Sequence, residues 1–422
     1  MKKNKILLLL SLISTVGITG SSYTSNLTKT DTTNNIIRKK GKLNSENKTK
    51  SLNAVGEIAL ETLEQYIDAS NYSIERIMEI RDFGDNSYVL VEFNPIGYLI
   101  YNVSNGDVVE CAPLSQSPYL KTKSQNLLYL PMVGYFSNIS GKYTNLMDNK
   151  EVNEKQFESY KKEARRYHNK ALSKINEDNV NRTKKGSDKE VVRRRKNTVI
   201  SYDPYTMIYA NTEVPSSWYF KKCEVEYAAA GDGSCGYIAA GLLLSYMEIF
   251  RSTGYFSSYQ AQRYITEYNG SIFYTGVPRV DDDFLYELDS NLGGATLYEL
   301  ECAINSFMSG KNKSYTIKKS SGIFTNVKKP VKDGFPTIYA GNIEDFYGGS
   351  GSHGVVVYGI YDNGNVLCHY GWAGYTQVVM STLGLFSESG ALSIYNNSNH
   401  VHNTYFILNG QTHCGCGDLI TC

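Results

Sequence analysis

The chain has 422 residues, enough for two domains, and 41% of them are apolar, so a sizeable core can be buried. Its 43 Lys and Arg against 42 Asp and Glu leave a formal net charge of +1, which argues against a general nucleic-acid binder. The 35 tyrosines are an unusual load that suits extended, surface-rich β structure.

The N-terminus carries Lys2, Lys3 and Lys5, then an apolar run from Ile6 to Leu10 that continues through Leu12, Ile13 and Val16 to small residues at Gly20 and Ser21. This pattern predicts a signal peptide over 1–22 and a secreted protein. Ser and Thr interrupt the run, which falls short of the roughly 20 residues a membrane span needs, so no stable membrane anchor is expected. Residues 23–50, rich in Thr, Asn, Ser and Lys, read as a disordered spacer. Leu52, Val55, Ile58, Ala59, Leu63 and Tyr66 recur at helical spacing. Strand-like runs follow at 77–80, 88–93 and 98–103, and Asn105-Gly106 predicts a hairpin turn before Val108 and Val109. Residues 51–145 therefore read as a small α+β unit.

Residues 146–197 become polar and basic, ending in Arg193-Arg194-Arg195-Lys196. A charge run of this kind forms a solvated helix or tail. Its place between two globular patterns also fits an exposed linker that proteases cut, with Arg195 and Lys196 as the processing site. From 198 to 422 the pattern is mixed, with a helix predicted near 235–250 and strands around 336–341, 354–360 and 365–372.

In Gly231-Asp232-Gly233-Ser234-Cys235-Gly236, polar and small residues form a loop ahead of an apolar helix bearing Ile238, Leu242 and Ile249 on one face. Cys235 thus opens a buried helix, where the partial positive charge of the N-terminus favours a thiolate, the form that attacks a carbonyl. Small neighbours such as Gly236 leave room for a substrate backbone. A buried structural Cys fits the same segment. Further on, His353 stands at the mouth of the strand Gly354–Ile360. Asp362-Asn363-Gly364 then turns the chain back through Val366 to His369, Tyr370, Gly371 and Trp372. A general base needs a group that holds its ring and fixes its tautomer, and a neighbouring strand is a rigid place for one. A core His satisfied by backbone is the other reading.

The order of these motifs resembles the papain superfamily: Cys at a helix start, then His-Gly-Val-x-x-x-Gly, a hairpin, and a Gly/Trp-rich strand. His369-Tyr370-Gly371-Trp372-Ala373-Gly374 is similar to a block of the streptopain family of secreted bacterial cysteine proteases. The segment Gly97–Val103, continuing to Glu110, is similar to a strand segment of that family's inhibitory propeptide. The resemblance implies a papain-like two-subdomain α+β fold over 198–422, with a helical part and an antiparallel sheet or barrel. A small α+β propeptide would precede it. It implies Cys235 as nucleophile, His353 as base, His369 sixteen positions later as the orienting third residue, and Trp372 shielding the pair. It further implies protein or peptide substrates, the chain's own propeptide as inhibitor and no cofactor. Two departures stand out: the family's Gln before the Cys is replaced around Ala229 and Ala230, and its Asn is replaced by His369. These leave open a catalytically degenerate secreted binding protein, and the Cys/His pair alone also fits a cell-wall amidase.

There are eight cysteines, at 111, 223, 235, 302, 368, 414, 416 and 422, in no disulfide-framework spacing. Cys414, Cys416 and Cys422 could pair with Cys223, Cys302 or Cys368. His400, His402, His413, Cys414 and Cys416 are zinc-ligand types in no standard finger spacing, and no metal is expected.

Overall fold

The computed structural model describes residues 55–122, 124, 126–182, 207–223, 225, 234–261, 263, 267–268, 273–275, 282–288, 296–311, 313–321, 325–340, 353–382, 390–396, 405–408 and 411–414. The expected signal peptide, the spacer and the Arg195-Lys196 site lie outside them. The chain divides into two compact units between Thr206 and Met207. Both are α+β in composition, and no helix among the described residues is long and apolar enough to cross a membrane.

The first unit opens with helix α1 (55–63), which buries Val55, Ala59 and Leu63, with Tyr66 buried just beyond its end. Seven strands follow: β1 Ser73–Arg81, β2 Ser87–Asn94, β3 Tyr98–Asn102, β4 Val108–Ala112, β5 Asn126–Leu130, β6 Gly134–Ile139 and β7 Lys142–Asn145. They run in the order β4-β3-β2-β1-β5-β6-β7, antiparallel except for a parallel contact of β1 with β5. The β3–β4 hairpin turns where expected: Gly106 adopts φ +68° and its N–H bonds the Asn102 carbonyl at 2.8 Å. Helix α2 (Glu154–Arg182) corrects the reading of 146–197 as linker. Its first half carries Tyr160 and Ala164 into a cluster with Phe83, Leu130, Val133 and Phe136, so this stretch is part of the first unit's core. The polar composition concealed an amphipathic stripe only two to three turns long.

The tyrosines are a second correction. Among the described residues the largest fully buried side chains are all tyrosines, and in the first unit Tyr98, Tyr129 and Tyr135 converge through their hydroxyls on the buried carboxylate of Glu110. A phenol fills core volume and still donates a hydrogen bond, so tyrosine can line an interior that contains its own acceptor.

In the second unit β8 (Thr212–Glu213) and helix α3 (Trp218–Lys222) precede helix α4 (Cys235–Tyr246), which runs into a π-turn at Met247–Arg251. Residues 236–246 of α4, apolar or aromatic apart from Ser245, are all buried, as a helix apolar on every face requires. Two short strands, β9 (Glu267–Tyr268) and β10 (Phe273–Thr275), and helices α5 (Asp282–Leu288) and α6 (Leu297–Phe307) come next. Then follow β11 (Thr316–Ser321), α7 (Lys328–Lys332), β12 (Thr337–Ala340), β13 (Gly354–Ile360), β14 (Val366–His369), β15 (Val378–Met380), β16 (Gly390–Tyr395), β17 (Tyr405–Leu408) and β18 (Gln411–Cys414). The main sheet of this unit runs β11-β16-β12-β13-β14-β15, all antiparallel, with β8 pairing β13; a smaller sheet runs β18-β17-β10-β9. Strand β13 is buried at every position and packs near α4, which fixes the site described next.

Candidate active site

Cys235 is the first residue of α4. The Ser234 side chain makes no capping hydrogen bond, so first-turn N–H groups remain available to the thiol: those of Cys235 and Gly236 both stabilise its anionic form. A third donor comes from β13, whose Gly354 N–H lies 3.3 Å from Cys235 Sγ. That approach depends on two glycines. A Cβ on Gly354 would stand 3.3 Å from the Gly236 Cα, tighter than side chains ordinarily pack, and 3.5 Å from its nitrogen.

Gly354 follows His353 directly, so the bond from Gly354 N to Sγ brings His353 to the Cys235 end of the helix. His353 is 4% exposed, and among the described residues its buried Nε2 has no hydrogen-bond partner. Trp372 lies flat against the ring at 4.2 Å between centroids with 19° between planes, and Tyr370 meets it edge-on at 5.7 Å. The structure thus gathers Cys235, Gly236, His353 and Trp372 into one site.

His369 differs from expectation. It is fully buried, but its Nε2 is 2.7 Å from the Cys223 carbonyl and its Nδ1 accepts the Gly371 N–H at 2.9 Å. Both ring nitrogens are taken by backbone, so His369 does not bond His353. The hydrogen-bond partner of the His353 ring is instead the backbone of Tyr370. Gly354 and Tyr370 act here through main-chain atoms, which residue type in the sequence does not advertise; the only signal was the glycine after His353.

The charge state also departs from the thiolate that the helix N-terminus was expected to favour at Cys235. Burial pushes the Cys235 thiol up, against the opposing pull of the Gly354, Gly236 and Cys235 N–H groups. Burial likewise holds His353 down to about 4, with the Tyr370 backbone opposing, and His369 down to about 4, with the Cys223 carbonyl opposing. At pH 7 this pair rests neutral, because desolvation outweighs what the helix N-terminus supplies.

The pairings considered for Cys223, Cys302 and Cys368 all involve Cys414, Cys416 or Cys422, whose side chains lie outside the description. Ala229 and Ala230, His400 and His402, and Cys416 and Cys422 lie outside the described residues; His413 and Cys414 end β18.

No protein-family profile and no curated sequence matches the chain. Among solved structures, a fragment of Prevotella intermedia prointerpain A carrying a cysteine-to-alanine substitution is similar at 14% identity and a TM-score of 0.28, covering 75% of this chain and 98% of that one. The active wild-type Prevotella intermedia interpain A cysteine protease is similar at 16% identity and a TM-score of 0.20, covering 46% of this chain and 98% of that one.

Proposed function

We propose that this chain is a secreted cysteine peptidase made as an inactive precursor, with a papain-like second unit and residues 51–145 as its inhibitory propeptide. The observation that carries the reading is the junction of α4 and β13. There the Gly354 N–H meets Cys235 Sγ, and the adjacent His353 keeps a buried Nε2 without a partner among the described residues. An unsatisfied ring nitrogen in the interior costs stability, and such costs persist where a group serves chemistry.

In the reaction, His353 takes the Cys235 proton and the thiolate attacks a peptide carbonyl. The imidazolium returns the proton to the leaving amine, and a thioester remains on Cys235. Water, deprotonated by His353, then attacks the thioester; the acid product departs and the thiol re-forms. The Cys235 and Gly236 N–H groups at the start of α4 are one source of oxyanion stabilisation. The neutral resting pair fits a latent precursor, in which attack waits for the pair to ionise. Cutting the basic stretch at Arg195-Lys196 would free the second unit. Substrates are proteins or peptides, and no cofactor takes part.

The test is hydrolysis of a denatured protein substrate by the processed chain, beside Cys235→Ala and His353→Ala prepared identically. Release of peptides by the unsubstituted chain, and a loss of at least about a thousandfold in each variant, supports the reading. Equal release by all three refutes it, and no release by any favours a degenerate binding protein.

A further inference from the structure

The loop between β14 and β15 carries the aromatic partner of His353, and its fastening is specific. The Gly371 N–H is a donor, so His369 Nδ1 must be unprotonated and accepting; the proton of the neutral ring then sits on Nε2 and is donated to the Cys223 carbonyl at 2.7 Å. One ring therefore joins the residue before Trp372 to the end of α3, twelve positions before the nucleophile. A second tie runs alongside, from Thr376 Oγ1 to the Lys221 carbonyl at 2.8 Å. Gly371 itself adopts φ +75° and lies close enough to α4 that a Cβ there would stand 3.3 Å from Ile238 Cγ2. The loop is thus held to α3 and α4 at once, with Trp372 flat on His353.

We infer that His369 is a positioning residue that sets Trp372 against His353 by holding the Gly371 N–H and the Cys223 carbonyl together, and not by bonding His353. The inference rests on the peptidase reading of the Cys235/His353 pair. It assigns different consequences to the two halves of the ring. Asn at 369 keeps an acceptor near Nδ1 but does not reach Cys223. Gln keeps a donor near Nε2 but leaves the Gly371 N–H unpaired. Ala loses both.

The experiment uses the full chain with Trp218→Phe, which leaves Trp372 as the one tryptophan, and adds His369→Ala, →Asn, →Gln or, as control, Thr382→Val. Self-processing rate and Trp372 emission are read on each. The expected result is slowing of at least about tenfold in His369→Ala with a red-shifted, more quenchable emission. His369→Asn and His369→Gln should fall between that and the parent, and Thr382→Val, whose hydroxyl bonds the Gly364 carbonyl away from this loop, should stay near the parent. Should His369→Ala fail to fold, the Asn and Gln variants decide by the same readings. Unchanged emission in the His369 variants overturns the inference, whatever the processing rates. If emission shifts as expected while neither the parent nor Cys235→Ala processes itself, the positioning role stands and the peptidase reading falls.

Discussion

His353 and His369 are two buried neutral imidazoles within one loop's reach, and each carries a pH consequence. An unfolded His protonates near 6.5, whereas burial holds both of these down to about 4. The folded state therefore refuses protons that the unfolded chain accepts between those values. Stability is full above pH 6.5 and falls as pH drops towards 4, by roughly 3 kcal/mol for each residue. Urea unfolding of the second unit should follow that slope, and His369→Gln should lose about half of it. A flat profile between pH 7 and 4.5 would mean that neither ring is buried neutral. Trp372→Ala belongs to the same scale. It removes the face stacked on His353 and admits water to the ring, so the acid limb of activity should move up towards the ordinary histidine range. An unmoved limb would show that the stack does not control the base.

At the scale of elements, the site is an approach of β13 to the first turn of α4, permitted by Gly354 and Gly236. Gly354→Val forces its side chain into the Gly236 backbone, which should cost about 1–3 kcal/mol and displace the donor from Sγ. Unfolding measurements and alkylation of Cys235 would register both effects; a variant with parent-like stability and reactivity would contradict the close approach. This element pair was legible in the sequence. Asp362-Asn363-Gly364 marked the hairpin, the apolar run after Cys235 marked α4, and both formed as read. What stayed hidden depended on contacts between distant segments. The family resemblance implies that His369 orients His353, yet the Gly371 N–H and the Cys223 carbonyl, 2 and 146 residues away, claim its nitrogens. Strands β5 to β7 escaped notice because their residues alternate weakly, and α2 because Tyr160, Ala164 and Tyr167 sit among so many charges. Tyr160→Ala should therefore destabilise the first unit by about 3 kcal/mol, as loss of a core aromatic does, where a solvated helix would lose almost nothing.

Across the whole molecule the tyrosines show how composition can mislead. Their number suggested surface, but Tyr98, Tyr129 and Tyr135 are interior groups donating to Glu110 in the first unit. The chain divides into two compact units, and the proposed function makes the first a propeptide that a cut releases. The most direct test of that account is self-processing: residues 23–422 are expressed with and without Cys235→Ala, and masses and new N-termini are followed over time. The account predicts that only the unsubstituted chain trims itself near residues 190–200, while Cys235→Ala stays intact. Trimming of both chains alike, or of neither, would contradict cleavage by Cys235.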